Sequence, residues 1–149
     1  AGLNVRIIGR RMICNSKYVD KNLLILAKQS GLTVIHCNQG YTACSTIILN
    51  DYALITDDES IHHSAKNNGI DSILISKGSV RLKGHEYGFI GGTCGMIDKN
   101  VLAFTGKLES HKDSDMIKAF LNKYNVEYVE LSDGPLIDVG GIIPVLEVI

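Results

Sequence analysis

The feature that most limits what this chain can fold into is a phrase written three times. Lys28-Gln-Ser-Gly-Leu-Thr-Val-Ile, Lys66-Asn-Asn-Gly-Ile-Asp-Ser-Ile and Lys123-Tyr-Asn-Val-Glu-Tyr-Val share one cadence: a lysine, polar residues, glycine or asparagine, then an apolar run rich in β-formers. Glycine or asparagine there suits the left-handed position that closes a helix, and the apolar run suits a strand. Recurrence of such a phrase marks an internal repeat.

Upstream of each phrase the text is also alike. Residues 4–14 give two short apolar runs broken by Gly9 and the pair Arg10-Arg11, which predicts strand, turn, strand. Val19, Leu23, Leu26 and Ala27 then recur at helical spacing, so a helix is expected over 17–29, capped by Asn15 or Ser16, with a strand over 32–37. In the second unit, strands are expected over 45–49 and 53–56. A helix capped by Asp57 or Asp58 follows, ending at Asn68-Gly69, then a strand over 70–76. The third, after a loop over 77–86, has strands over 88–97 and 101–105. His111-Lys-Asp-Ser-Asp115 opens its helix, which ends at Tyr124-Asn125 before a strand over 126–131. Each unit reads ββαβ. One such unit cannot bury both faces of its sheet, so the units are expected to pack around a common centre. Residues 135–148 read as the first strand of a further unit.

Composition narrows the function classes. A chain of 149 residues with 45% hydrophobic and 21% charged residues can bury a core and form one domain. A formal net charge of −1, with basic residues scattered, argues against a surface that tracks nucleic-acid phosphates. Neither a secretory leader nor an apolar run of membrane-spanning length is present in the sequence, so a cytoplasmic protein without membrane association is expected. Cys14, Cys37, Cys44 and Cys94 form no Cys-x-x-Cys pair, and His62-His63 diverge on a helix, so neither a metal nor a cofactor is expected.

Chemistry concentrates in the third unit. Tyr87-Gly-Phe-Ile-Gly-Gly-Thr-Cys-Gly95 lets backbone pass close to backbone or ligand and allows positive φ. A strand follows it rather than a helix, which argues against a phosphate cradle. Cys94 on this turn is a candidate nucleophile, and a thiol in that role needs a base and an orienting carboxylate. His111 and Asp138 are the candidates for those roles, while Asp133 with Gly91 and Gly92 are the expected substrate contacts. Plainer readings stand beside these. Asp113 or Ser114 serves as a helix cap, Asp133-Gly134-Pro135 as a turn, and Asp138, inside an apolar run, needs hydrogen-bond partners or a water-filled centre.

These stretches, with Phe104-Thr-Gly106, His111-Lys-Asp113 and Leu131-Ser-Asp-Gly-Pro-Leu-Ile-Asp-Val-Gly-Gly-Ile-Ile-Pro144, resemble an uncharacterised bacterial family of the guanidine-group modifying, or pentein, superfamily. The resemblance implies an α/β propeller of five ββαβ units, of which about three are present here. It also implies a Cys and His acting on a guanidinium held by carboxylates, a geometry suited to bidentate pairing. Two departures accompany it. Gly140-Gly141 is followed by Ile142-Ile143-Pro144 where the superfamily's enzymes place their nucleophilic Cys, and Gly91-Gly92 lacks an acidic neighbour. The resemblance therefore implies either a degenerate relative of guanidine-modifying hydrolases and transferases, with a small guanidine-containing ligand, or a non-enzymatic binding or interaction module on the same fold. Three units of five further imply a second copy or a remainder of chain to complete the ring.

Overall fold

Short apolar runs separated by glycine and asparagine turns fold as three small sheets, each taking two strands, a helix and a third strand in chain order. The computed structural model describes residues 2–145. In the first sheet β1 (Arg6–Ile8) runs antiparallel to β2 (Arg11–Cys14), which runs parallel to β3 (Thr33–His36) after helix α1 (Lys21–Gln29). The second has β4 (Thr46–Asn50), β5 (Ala53–Thr56), α2 (Glu59–Asn67) and β6 (Asp71–Leu74) in the same relation. The third has β7 (Cys94–Asp98), β8 (Val101–Phe104), α3 (Ser114–Lys123) and β9 (Glu127–Glu130). The middle strands are the most apolar because they are buried on both faces: Ala53, Leu54 and Ile55 in β5, and Leu102, Ala103 and Phe104 in β8.

The chain divides into two compact units, Ala1–Leu74 and Ile75–Ile149. In the first, Ile8, Ile13, Ile35, Leu54, Ile61 and Ile70 form one core, and Met12, Cys14, Val19 and Ala27 form another with Leu23 and Leu24 of α1. The second holds the third sheet and the glycine-rich stretch.

The repeat extends to its irregularities. The antiparallel pairs of the second and third sheets both slip register, between Ile48 and Asn50 and between Met96 and Asp98. Setting one slip on the other places Thr46 against Cys94 and Thr56 against Phe104, and carried backward it places Gly40-Tyr41 against Gly88-Phe89.

Several boundaries differ from expectation for local reasons. Tyr18 and Val19 both donate their N–H to Asn15 O, so a turn occupies the start expected of α1, and Asp20 caps the helix by accepting the Asn22 N–H. Asp58 rather than Asp57 caps α2, accepting from Ile61 N at 3.1 Å. Residues 90–93 form a 3-10 turn where a strand was expected. Residues 135–145 form no ladder, pairing only through isolated bridges at Pro135 and Ile137, and residues 146–148 of the expected strand lie outside the described residues. On α2, His62 Nδ1 meets the buried Ser72 hydroxyl, and burial lowers the pKa of its imidazole. Among the described residues no helix is long and apolar enough to cross a membrane.

Candidate functional site

The glycine-rich stretch is a seat for the chain's own later segment. Residues 134–142 run across it, and their backbone is hydrogen-bonded along the length. Asp138 N donates to Arg81 O, Val139 N and Gly141 N to Gly92 O, and Ile142 N to Cys94 O. Thr105 Oγ1 donates to Ile137 O at 2.8 Å and accepts from Ile137 N at 3.1 Å. This strap explains the glycines. A β-carbon at Gly88 would lie 2.6 Å from Asp138 Cβ; at Gly92 it would overlap the Asp138 carboxylate, at Gly95 the Ile142 carbonyl, and at Gly106 the carbonyls of Gly134 and Pro135. None of these four has positive φ, so the freedom they use is close approach, not the left-handed conformation expected as an alternative.

Asp138 is the pin of the strap. Its Oδ2 accepts the Phe89 N–H at 2.9 Å and its Oδ1 accepts the Gly140 N–H at 3.0 Å. The carboxylate inside an apolar run thus finds backbone partners, one of them 49 residues away. Gly91 and Gly92 are buried, and Gly92 lies against this carboxylate.

Cys94 opens β7 and is 5% exposed, with its thiol aimed back at Ile90 O, 3.9 Å away. His111 is 2% exposed and lies before α3. Its Nδ1 accepts the Asp113 N–H at 3.0 Å, and its ring also hydrogen-bonds the Ser76 backbone. Burial pushes this imidazole below the usual histidine range, against the pull of Asp113 and Ser76. Asp113 occupies the cap position of α3 without capping it. Its Oδ2 instead accepts the Ser76 N–H at 2.6 Å, and that bond holds the carboxyl below the usual aspartate range. Ser76 is not singled out from sequence: it reads as the last residue of the strand expected over 70–76, whereas β6 ends at Leu74 and frees the Ser76 N–H for Asp113.

Asp133 stands apart, its side chain fully exposed and 3.3 Å from Lys107 Nζ, which also pairs with Glu130 at 3.0 Å. These carboxylates, Glu130 foremost, raise the Lys107 pKa. Asp138, Gly88 and Gly92 are thus brought together, whereas the Cys94 thiol is directed at Ile90 O and the His111 ring bonds Asp113 and Ser76. Among the described residues no group of three or more His, Cys, Asp or Glu is placed to hold a metal ion.

A model for a family of unknown function, DUF6873, matches residues 1–143. The chain belongs to this family. No curated protein matches it. Among solved structures, the agmatine deiminase of C. jejuni is similar with a TM-score of 0.59 at 15% identity, over 87% of this chain and 49% of the deiminase. A cysteine-to-serine variant of that enzyme with substrate bound gives 0.56 at 14% identity, with the same coverage. The DUF6873 chain thus spans about half the length of these deiminases, and at such identity the likeness is one of fold. At that level the resemblance to the pentein superfamily holds.

Proposed function

We propose that this chain is a degenerate relative of the guanidine-modifying enzymes, carrying three ββαβ units of a pentein-type propeller and acting on its guanidine ligand by binding rather than by covalent turnover. One observation carries this reading: the Asp138 carboxylate, needed to orient a base or grip a guanidinium, is spent on the N–H groups of Phe89 and Gly140 while its strap covers the glycine turn. The thiol of Cys94 is buried at the edge of the same strap. The ligand class that fits is a small guanidine-containing molecule, since a substrate-bound agmatine deiminase shares the fold. Asp133 is the exposed carboxylate able to meet it, with the turn at Gly91 and Gly92 as scaffold. The cytoplasm is the compartment we assign, in keeping with cysteines that form no disulfide among the described residues.

A second reading, a working hydrolase or amidinotransferase using Cys94 and His111, is favoured by the buried imidazole kept neutral beside Asp113. Incubation with agmatine, arginine and methylated arginines, read for ammonia and ureido products, separates the two. The binding reading expects no turnover, with agmatine raising the melting temperature of the wild type and not of Asp133→Ala. Turnover that Cys94→Ala abolishes would overturn it, as would the absence of any thermal shift.

A further inference from the structure

At the carboxyl edge of the parallel pair β2 and β3, far in sequence from the residues considered above, three side chains form one chain of hydrogen bonds. Ser16 lies two residues past the end of β2, His36 ends β3, and Asn38 lies two residues past it. Cys14 and His36 are in register, which brings the two strand ends side by side. Ligand sites in parallel α/β sheets gather at this edge. Ser16 Oγ is 2.8 Å from His36 Nδ1, and His36 Nε2 is 3.3 Å from Asn38 Oδ1. The Ser16 N–H also points at Nδ1, at 3.2 Å. A backbone N–H can only donate, so Nδ1 is an acceptor and the ring proton sits on Nε2, facing the Asn38 carbonyl oxygen.

This arrangement is held from several sides. Buried Asn15 donates from Nδ2 to Asn38 O at 3.0 Å, the Ser60 hydroxyl accepts the Asn38 N–H, and Ser64 Oγ donates to His36 O at 2.8 Å. Yet the reactive groups remain open to solvent: Ser16 is half-buried, and His36 and Asn38 are exposed. A hydroxyl on the acceptor nitrogen of an imidazole whose other nitrogen is oriented by a carbonyl is the constellation of an activated nucleophile.

We propose that Ser16, His36 and Asn38 form an acyl-accepting site, with Ser16 as nucleophile, His36 as general base and Asn38 as the positioning residue. Ser16 Oγ attacks the acyl carbon of an ester while its proton passes to His36 Nδ1. The C–O bond to the leaving group breaks, and the leaving oxygen takes that proton, giving acyl-Ser16 and an alcohol. Water, deprotonated by His36, then attacks the acyl carbon, and the acid and free Ser16 are released. The Ser16 N–H is committed to the ring rather than to a developing oxyanion, so the substrate class is narrow: small esters with good leaving groups, and not amides.

The test treats the full chain with a fluorophosphonate probe and with p-nitrophenyl acetate, locating adducts by peptide mass. The expected result is one phosphonylated residue, Ser16, and nitrophenol release that falls at least about tenfold in Ser16→Ala and in His36→Gln. Asn38→Ala should lower the labelling rate and Asn38→Asp restore it, a rescue that a merely structural Asn38 would not give. Circular dichroism of each variant separates loss of chemistry from loss of fold. Labelling elsewhere, labelling of Ser16 unchanged in folded His36→Gln, or nitrophenol release that survives Ser16→Ala would overturn the proposal.

Discussion

A β-carbon added at Gly92 would strike the Asp138 carboxylate, and this collision says what the glycine is for. Gly92→Ala is expected to cost about 1–3 kcal/mol by overpacking. Asp138→Ala should cost a similar amount, because it removes the carboxylate that accepts the Phe89 and Gly140 N–H groups. The two share one contact, so the double variant should be less destabilised than the sum, as a double-mutant cycle in urea would read. His111 gives a pH signature. Its folded pKa lies below the ordinary value of 6.5, so below that pH the unfolded chain binds the proton more readily than the folded one. Stability conferred by the neutral ring is therefore intact above about 6.5 and drains as pH falls through and below that value. His111→Asn, whose oxygen can accept the Asp113 N–H, should flatten this part of the urea-midpoint profile. An equal slope in both proteins would show that other groups carry it.

Helix ends show how far an element is legible before it folds. Gly31 and Gly69 take φ of 68° and 71°, and Asn125 takes 53°, as the repeated phrase predicts, because the left-handed position limits the choice of residue. Helix starts are less legible, since several neighbouring side chains can cap. Asp57 and Asp58 are chemically equal in the sequence, and only Asp58 reaches the Ile61 N–H. Asp113, placed to cap α3, is drawn off to Ser76. Asp58→Ala should thus lower stability by about 1 kcal/mol, measured by urea unfolding of the full chain, as loss of a cap does. The candidate site was legible as residue types and opaque as contacts. Nothing local tells Asp138 that its partner is a backbone N–H 49 residues earlier, or His36 that Ser16 waits across a helix.

Across the whole chain, the likeness to deiminases covers half of their length and is one of fold, while the proposed binding reading turns on the strap. Leu136 is the strap's apolar anchor, with no exposed surface, and the strap's Ile142 N–H binds the carbonyl of Cys94. If the thiol is a structural residue, it reacts only when this part opens. Its alkylation rate then follows the free energy of opening. Leu136→Ala removes buried methyl groups at a cost of about 2–5 kcal/mol. Every 1.4 kcal/mol of that cost taken from the opening step speeds iodoacetamide labelling of Cys94 about tenfold, provided reclosing outpaces alkylation. A slow wild-type reaction accelerated at least about tenfold by Leu136→Ala is the expected outcome. A thiol that already reacts fast in the wild type and is indifferent to Leu136 would instead be an accessible nucleophile, and the degenerate reading would fall with that result.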